Sequence, residues 1–244
     1  MSNQGSGKKV KGIVDIVFLM DATASMSSCI EAVKNNINSF IDSICDSTKQ
    51  DNPVGDWRAK VVGYRDFLDD ADAKALEDNP FVHNDANALK AQLAALEAVG
   101  GGDEPESLLV AIIHLAYMDA TENGTQALDP NKWRYRGDAA RVIIIFTDAP
   151  CHMETKEGGT IEDVVNNCHS QRLCLNIFAP EYPCYEELEQ IDKTEYEAFE
   201  INEGETGVEA LARFTNDQAK FQKAMKLLAK TVSQTADKGG TPIL

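Results

Sequence analysis

The sequence predicts an α/β protein with a largely parallel sheet and helices on both of its faces. Apolar runs of strand length, rich in Val, Ile and Phe and without polar alternation, recur along the chain, most clearly at 12–20 and 141–146. Between these runs lie segments with apolar residues at steps of three and four, the period of an amphipathic helix. Strands that are apolar on both faces are typical of parallel sheets covered by helices.

The two kinds of element alternate along almost the whole chain. Strands are predicted at 12–20, 57–67, 80–84, 141–146, 173–179 and 197–201. Helices are predicted at 30–44, 86–96, 106–118, 160–170, 183–191 and 221–232. Segment 119–139 is the longest irregular insertion. No repeat interrupts the alternation, so residues 12–235 are expected to form one domain, between a flexible polar leader at 1–11 and a tail at 236–244.

The charge of the chain excludes several classes of partner. It carries 23 basic and 40 acidic residues, a formal net charge of −17. Such a charge disfavours nucleic acid and anionic membranes, and it favours cations and basic partners. The sequence shows no signal peptide and no apolar run near the roughly 18–20 residues that span a bilayer. A cytoplasmic location is therefore expected.

The six cysteines are expected to be reduced, partly buried thiols. Cys151-His152 and Cys168-His169 place a thiol beside an imidazole. Neither pair belongs to the Cys-x-x-Cys spacing that structural zinc sites usually show, so no zinc site is predicted.

Polar residues cluster in three loops that the predicted topology brings to the carboxyl edge of the sheet. They are 21–25, 100–107 and 146–152, and the last contains Thr147 and Asp148. Ligands of such sheets bind beyond the carboxyl ends of the strands. This edge is therefore the predicted binding site.

The donors in these loops suit a hard cation. Asp21 directly follows the first strand, and Thr23 and Ser25 come at alternate positions after it. Alternate residues just past a strand point the same way, so the two hydroxyls can face one ion while Asp21 balances its charge. Carboxylates and hydroxyls suit magnesium or manganese, which prefer octahedral oxygen ligands.

These motifs resemble those of the von Willebrand factor A (VWA) domain. The pattern Asp-x-Thr-x-Ser after "IVFLM", a glycine-led middle loop and Thr-Asp after "VIIIF" match its metal-ion-dependent adhesion site, MIDAS. The resemblance runs from about residue 12 to about residue 235. "GYRDF", "GGGDEPES" and "TDAPCH" are similar to intracellular VWA domains, which occur beside alpha-kinases and in bacterial cytoplasmic proteins.

The resemblance implies a fold and a role. The fold is a three-layer α/β/α, Rossmann-like one, with a mostly parallel six-stranded sheet and one short antiparallel edge strand. The role is non-catalytic: a cation, here Mg²⁺ with Mn²⁺ or Ca²⁺ as alternatives, completes its shell with a carboxylate from a partner protein. The intracellular branch suggests a kinase, a phosphatase or an AAA-type ATPase as the partner. In such domains the last helix, here 221–232, shifts when the ion's shell changes.

The metal ligands carried over by the resemblance are Asp21, Thr23, Ser25 and Asp148, with Asp103 as the fifth. Thr23 stands where serine is commoner in the family, and it keeps the hydroxyl. The second loop lacks the family's threonine, and Asp103 aligns there. A carboxylate at this place would hold the ion more tightly and make it a weaker electrophile towards an acidic partner.

Each of these residues has a simpler interpretation. Asp21 could only end a strand, and Thr23 and Ser25 could be helix caps, Ser25 standing at an N-cap position. Asp103 could be an N-cap, with Pro105 near the helix start and Glu106 completing a capping box.

Two further residues lie near the predicted edge. Asp66, after the second strand, is expected to pair with Arg65 or with a backbone amide. His152 borders the third loop and is expected to be a surface or packing residue.

The alternative function is a metal-dependent phosphohydrolase that uses Asp21 and Asp148. A haloacid-dehalogenase-type phosphatase needs an acid/base carboxylate two residues after the first aspartate, and Thr23 stands there. The sequence also lacks a phosphate-binding P-loop, a Rossmann fingerprint after the first strand and a Gly-x-Ser-x-Gly elbow. A binding module rather than an enzyme is therefore expected.

Overall fold

The computed structural model describes residues 12–46, 48, 54–67, 75–101, 104–155 and 158–238. Its strands are β1 (Gly12–Asp21), β2 (Val54–Tyr64), β3 (Leu76–Asp78), β4 (Val82–His83), β5 (Ala140–Phe146), β6 (Leu173–Pro180) and β7 (Glu195–Phe199). They form one sheet in the order β3-β2-β1-β5-β6-β7, and β4 also pairs with β2. The pairs β1–β2, β1–β5, β5–β6 and β6–β7 are parallel. The short strands β3 and β4 run antiparallel to β2.

Helices cover both faces of this sheet. Those in the described residues are α1 (Ser27–Cys45), α2 (Ala86–Ala95), α3 (Leu108–Tyr117), α4 (Ile161–Gln171), α5 (Pro183–Leu188), α6 (Gly207–Asn216) and α7 (Gln218–Lys238). One hydrophobic cluster joins α1, α2, α6 and α7 to one face of the sheet. A second joins α3, α4 and α5 to the other face. No helix in the described part of the chain has both the length and the apolar character that crossing a bilayer requires.

The prediction of a mostly parallel sheet between helical layers is confirmed. The sheet has seven strands rather than six, because Leu76–Asp78 adds a strand too short to show a period. Helix α6 was also missed, although Thr206 and Glu209 form a capping box at its start. The last helix extends to Lys238, beyond the predicted domain end at residue 235.

The topology fixes where a ligand would bind. Strand β1 lies between β2 and β5, so the chain leaves β1 towards one side of the sheet and later returns to its other side. Asp21 pairs in register with Tyr64, and Met20 pairs with Phe146. The carboxyl ends of three strands therefore meet at the switch point where ligands of such sheets bind.

The insertion at 119–139 packs at the opposite end of the sheet. The Trp133 side chain is buried, and its Nε1 donates to the backbone oxygen of Leu115 over 2.8 Å. The Arg58 guanidinium reaches the backbone oxygens of Asp129 and Lys132 over 3.0 and 2.9 Å. The insertion thus covers the amino ends of the central strands.

Candidate metal centre at the carboxyl edge of the sheet

Asp21 is fully buried at the end of β1, and hydroxyl groups hold its carboxylate. Its Oδ1 accepts the backbone N–H of Thr23 over 3.0 Å and the Thr23 hydroxyl over 2.7 Å. Its Oδ2 accepts the hydroxyl of Thr147 over 2.9 Å. Each bond comes from the loop after β1 or β5, so the register of the two strands places the carboxylate.

Asp148 is the second buried carboxylate of this edge. It follows Thr147 in the loop after β5, and its side chain is 1% exposed. Its Oδ2 is buried and has no hydrogen-bond partner within the described residues. Such an oxygen is costly to bury without a proton, a donor or a cation nearby.

The two carboxylates influence each other. Burial first, and then the charge of Asp148, raise the pKa of Asp21 from 3.8 to about 7, against hydrogen bonds from Thr23 and Thr147 that lower it. Burial also raises the pKa of Asp148, and a hydrogen bond from Ser25 opposes that shift. No ion pair in the described part of the chain joins a basic side chain to either aspartate. The described structure therefore leaves two adjacent negative charges uncompensated.

The hydroxyl groups present lone pairs to the same place. The Thr23 hydroxyl uses its one proton on Asp21, and its oxygen lies 3.1 Å from Oγ of Ser25. Ser25 has one proton to share between Thr23 and Asp148. The cluster has more oxygen acceptors than donors, and a divalent cation would satisfy this surplus.

The second loop is held close against the first. Ala24 N–H donates to the backbone oxygen of Gly100 over 3.3 Å, and Val99 N–H donates to that of Ala22 over 2.9 Å. Gly101 has a φ of +76°, and a Cβ there would lie 2.6 Å from Cγ2 of Thr23. Glycine is therefore required at this position, both for its φ and for its distance from Thr23.

Two side chains that were not predicted as part of the site also lie at this edge. Glu106 is buried, and its Oε1 would lie 3.2 Å from a Cβ on Gly101. The Tyr64 ring is fully buried, and burial together with the charges of Asp21 and Glu106 raises the pKa of its hydroxyl well above 10.0. The register of β2 with β1 sets Tyr64 beside Asp21, and this register became known only from the structure.

Asp66 and His152 lie beside the second and third loops. Oδ1 of Asp66 accepts the hydroxyl of Ser107 over 2.7 Å, a partner that was not predicted. Nε2 of His152 lies 3.6 Å from the same oxygen. His152 is about a quarter exposed, and its backbone N–H donates to the oxygen of Glu106. The predicted packing position of His152 agrees with these contacts.

Of the five predicted ligands, the structure brings Asp21, Thr23, Ser25 and Asp148 together, and we call these four the carboxylate site. Asp103 lies outside the described residues. The cap interpretation of Ser25 was wrong, because α1 begins at Ser27 with Met26 as its N-cap, after a 3₁₀ turn at Ala24–Met26.

The start of the helix after the second loop also differs from the prediction. Helix α3 begins at Leu108, later than predicted, and Ser107 is its N-cap. Among the described residues, no three Asp, Glu, His or Cys side chains gather as a metal site, so the donors here are two carboxylates and the hydroxyls.

Comparisons with solved structures describe the fold. A von Willebrand factor type A protein from Catenulispora acidiphila aligns at a TM-score of 0.52 and 13% identity, over 91% of this chain and 43% of that one. The fold is VWA-like. The pilus adhesin SpaC from Lactobacillus rhamnosus GG aligns at 0.49 and 12% identity, over 90% of this chain and 31% of that one. Proximal thread matrix protein 1 from the mussel byssus aligns at a TM-score of 0.47 and 13% identity, over 88% of this chain and 50% of that one.

At an identity this low, the comparison supports a VWA-like fold and says nothing about the function of this chain. This chain spans less than half the length of the Catenulispora protein. No protein-family model matches the sequence, and no curated protein matches it.

Proposed function

We propose that this VWA-like chain binds a divalent cation, Mg²⁺ before Mn²⁺ or Ca²⁺, at the carboxylate site and uses it to engage a protein partner. The observation that carries the proposal is the buried Oδ2 of Asp148, which has no hydrogen-bond partner among the described residues, beside the second buried carboxylate of Asp21. A buried pair of like charges needs a proton or a cation. The oxygen-only donor set favours a hard ion.

Each residue has a stated task in this proposal. Asp21 accepts a hydrogen bond from the Thr23 hydroxyl, and this bond leaves the lone pairs of the Thr23 oxygen directed towards the ion. Ser25 and Asp148 supply further oxygen atoms from the adjoining loops. Asp103 is proposed as a further ligand from the second loop. A bound cation would supply positive charge and coordination positions open to an outside carboxylate.

The proposed role is non-catalytic. Both oxygens of Asp21 accept hydrogen bonds inside the protein, and the side chain has no exposed surface. A phosphohydrolase would need one of these oxygens free to attack a substrate. Thr23 also stands where the acid/base carboxylate would be, so the structure gives more support to binding than to hydrolysis.

The proposed partner is a protein that donates a carboxylate, within an intracellular complex containing a kinase, a phosphatase or an AAA-type ATPase. The carboxylates of the site itself limit how strongly the bound ion attracts a carboxylate from the partner. Each protein carboxylate in the shell reduces the positive charge left for an outside ligand. The proposed interaction is therefore one that further contacts around the site must strengthen.

The first test is calorimetric titration of Mg²⁺ and Mn²⁺ into chelator-treated protein. We expect binding in the parent and in Asp66→Asn, a matched control with a buried aspartate at the same edge. We expect loss of binding in Asp21→Ala and Asp148→Asn. Loss in Asp103→Ala as well would assign Asp103 to the shell. Full Mg²⁺ affinity in Asp21→Ala would contradict the proposal.

A second test asks whether the bound ion keeps an open position. Acetate titrated into the Mn²⁺-loaded protein serves as a minimal partner carboxylate. We expect the water-proton relaxation enhancement to fall as acetate displaces coordinated water. An unchanged enhancement at saturating acetate would mean that the bound ion has no position open to an outside ligand. It would contradict the proposal that a partner carboxylate binds the ion.

A further inference from the structure

Two cysteines meet beside the third loop of the carboxylate site. Cys151 follows Asp148 in that loop, and Cys184 is the second residue of α5. Both side chains are buried. The backbone N–H of Cys151 donates to Sγ of Cys184 over 3.2 Å, and the two thiols hydrogen-bond to each other. The two sulfur atoms are therefore neighbours, although the residues are far apart in sequence.

This contact makes the two thiols unequal. Hydrogen bonds from the side chain and the backbone of Cys151 lower the pKa of Cys184. The same thiol–thiol hydrogen bond, together with burial, raises the pKa of Cys151. Since the thiolate is the reactive form of cysteine, the directions of these two pKa shifts favour Cys184 as the attacking thiol and Cys151 as the resolving thiol.

We propose that Cys151 and Cys184 form a reversible disulfide that ties the third loop to α5 and weakens cation binding at the carboxylate site. The formation of the disulfide stands on the contact between the two sulfurs. Its effect on the cation rests on the proposed function. The remaining four cysteines, Cys29, Cys45, Cys168 and Cys174, take no part.

The chemistry requires a small-molecule disulfide as the oxidant. The Cys184 thiolate attacks one sulfur of the oxidant, its S–S bond breaks, and one small thiol leaves after taking up a proton. Cys151 then loses its proton, attacks Sγ of Cys184 and displaces the second small thiol. Two cysteine thiols and one small disulfide thus become one protein disulfide and two small thiols, and the two electrons from the cysteines reduce the oxidant.

Backbone contacts connect the pair to the carboxylate site. The Tyr185 hydroxyl, next to Cys184, donates to the backbone oxygen of Ala149. Glu106 N–H donates to the oxygen of Pro150 over 2.9 Å, so the same stretch also holds the end of the second loop. Ala149 and Pro150 are the two residues between Asp148 and Cys151. A displacement of Cys151 therefore reaches the ligand through a segment of two residues, of which Ala149 is buried and Pro150 half-buried.

Bond formation produces such a displacement. A disulfide brings its two sulfurs to about 2.0 Å, well inside a hydrogen-bonded sulfur contact. Cys151 must move towards α5, and the segment leading to Asp148 follows. We expect the Mg²⁺ affinity of the oxidised protein to be about tenfold lower, a change typical of coupled sites.

The first part of the test detects the bond. The reduced full chain is incubated with glutathione disulfide, and its intact mass and non-reducing peptide map are measured. We expect a loss of two hydrogen masses, a peptide linking Cys151 to Cys184, and full reversal by dithiothreitol. Cys184→Ser should abolish the link, while Cys168→Ser, a buried cysteine of α4, should leave it intact. A map without this link in the parent protein overturns the proposal, whatever the variants do.

The second part measures the effect on the ion. Magnesium is titrated calorimetrically into the reduced and the oxidised parent protein. A tenfold weaker affinity after oxidation, restored by dithiothreitol, supports the coupling, and equal affinities overturn it. Absence of Mg²⁺ binding in the reduced protein instead overturns the proposed function, while the peptide map still decides whether the disulfide forms.

Discussion

The two ends of the central strand β1 each bury an aspartate, and the protein treats the two charges differently. Asp15, near the amino end, pairs with Arg58 through bonds of 3.0 and 2.5 Å. Asp21, at the carboxyl end, contacts hydroxyl groups and lies near the charge of Asp148. Both side chains are fully buried, so burial alone does not separate a structural carboxylate from a functional one.

The amino end is internally neutralised. The Arg134 guanidinium lies 3.5 Å from Oδ1 of Asp15. The backbone N–H of Arg134 donates to Oδ2 of the same carboxylate over 2.8 Å. Arg141 in turn donates to the backbone oxygen of Arg134. We call Asp15, Arg58, Arg134 and Arg141 the arginine cluster. It fastens the insertion at 119–139 to the sheet with charges that the chain itself provides.

The carboxyl end shows the opposite arrangement. Within the described residues the carboxylates of Asp21 and Asp148 meet hydroxyls and form no ion pair with a basic side chain. A missing internal cation is a feature expected of a site that takes its cation from solution. The comparison therefore predicts that similar changes at the two ends have opposite effects on stability.

The largest effect is expected at the arginine cluster. Arg58→Met leaves Asp15 buried and much less well paired, and we expect a loss of about 3–5 kcal/mol in the free energy of unfolding. Chemical denaturation measures it. The double variant Asp15→Asn, Arg58→Met should recover part of the loss because it removes the buried charge. A loss below about 1 kcal/mol would show that Arg134 alone can neutralise Asp15.

The next effect has the opposite sign. Asp21→Asn removes a buried charge whose pKa is raised from 3.8 to about 7. We expect the metal-free variant to gain about 2–3 kcal/mol at pH 8, since each pKa unit is worth about 1.4 kcal/mol and lost hydrogen bonds offset part of the gain. Denaturation in the presence of a chelator measures it.

Magnesium provides the internal check on this gain. Saturating Mg²⁺ should stabilise the parent protein and leave Asp21→Asn unchanged. The control Asp66→Asn should lose stability, because it weakens the bond from Ser107, and should keep its Mg²⁺ response. A less stable metal-free Asp21→Asn protein would mean that the carboxylate is as well compensated as Asp15.

The fold was predictable because it depends on the period and length of apolar segments. Strand β1 and strand β5 are apolar on both faces, and this pattern alone indicates a parallel sheet. Strand β3, with the sequence Leu-Glu-Asp, has no such pattern, because pairing with β2 rather than burial defines it. The start of α6 carried a capping box at Thr206 and Glu209 that could have identified it.

The site was predictable in part. Residues in one loop, such as Thr23 and Asp21, are placed by local spacing, and the VWA resemblance ordered the loops. The approach of Glu106 and the contact of Cys151 with Cys184 depend on how elements that are distant in sequence pack together. The aspartate within the apolar strand β1 did carry a signal, since a charge there must find a partner. The identity of that partner, Arg58, follows from the register of β1 with β2.

A steric change can disturb the carboxyl end alone. A Cβ on Gly207, the first residue of α6, would lie 2.1 Å from the backbone oxygen of Asp148. Gly207→Ala must displace the third loop, and we expect a loss of about 1–3 kcal/mol in stability together with several-fold weaker Mg²⁺ binding. Gly204→Ala is the matched control. Its φ of +80° makes it strained, but nothing lies within 4 Å, so its Mg²⁺ affinity should be unchanged.

The smallest expected effect is a pH dependence of the free energy of unfolding that arises at the carboxyl end alone. In metal-free protein, Asp21 has a pKa of about 7 when folded and about 3.8 when unfolded. The folded state therefore holds more protons between these values, so stability is greatest below pH 4 for this group and falls as pH rises towards 7. The slope from this one group is at most about 1.4 kcal/mol per pH unit.

Denaturation midpoints across pH 4–8 with a chelator would measure this slope, and Asp21→Asn is its control. Among the described residues, the groups that interact with Asp21 are Asp148, Thr23, Thr147, Tyr64 and Cys29. The pKa values of Tyr64 and Cys29 are raised further above this range, so only Asp148 can add a slope of the same sign. The variant should therefore lose most of the slope while changes at the arginine cluster leave it intact. An equal slope in parent and variant would place the titrating charge elsewhere, and the two ends of β1 would then no longer differ in how they compensate a buried aspartate.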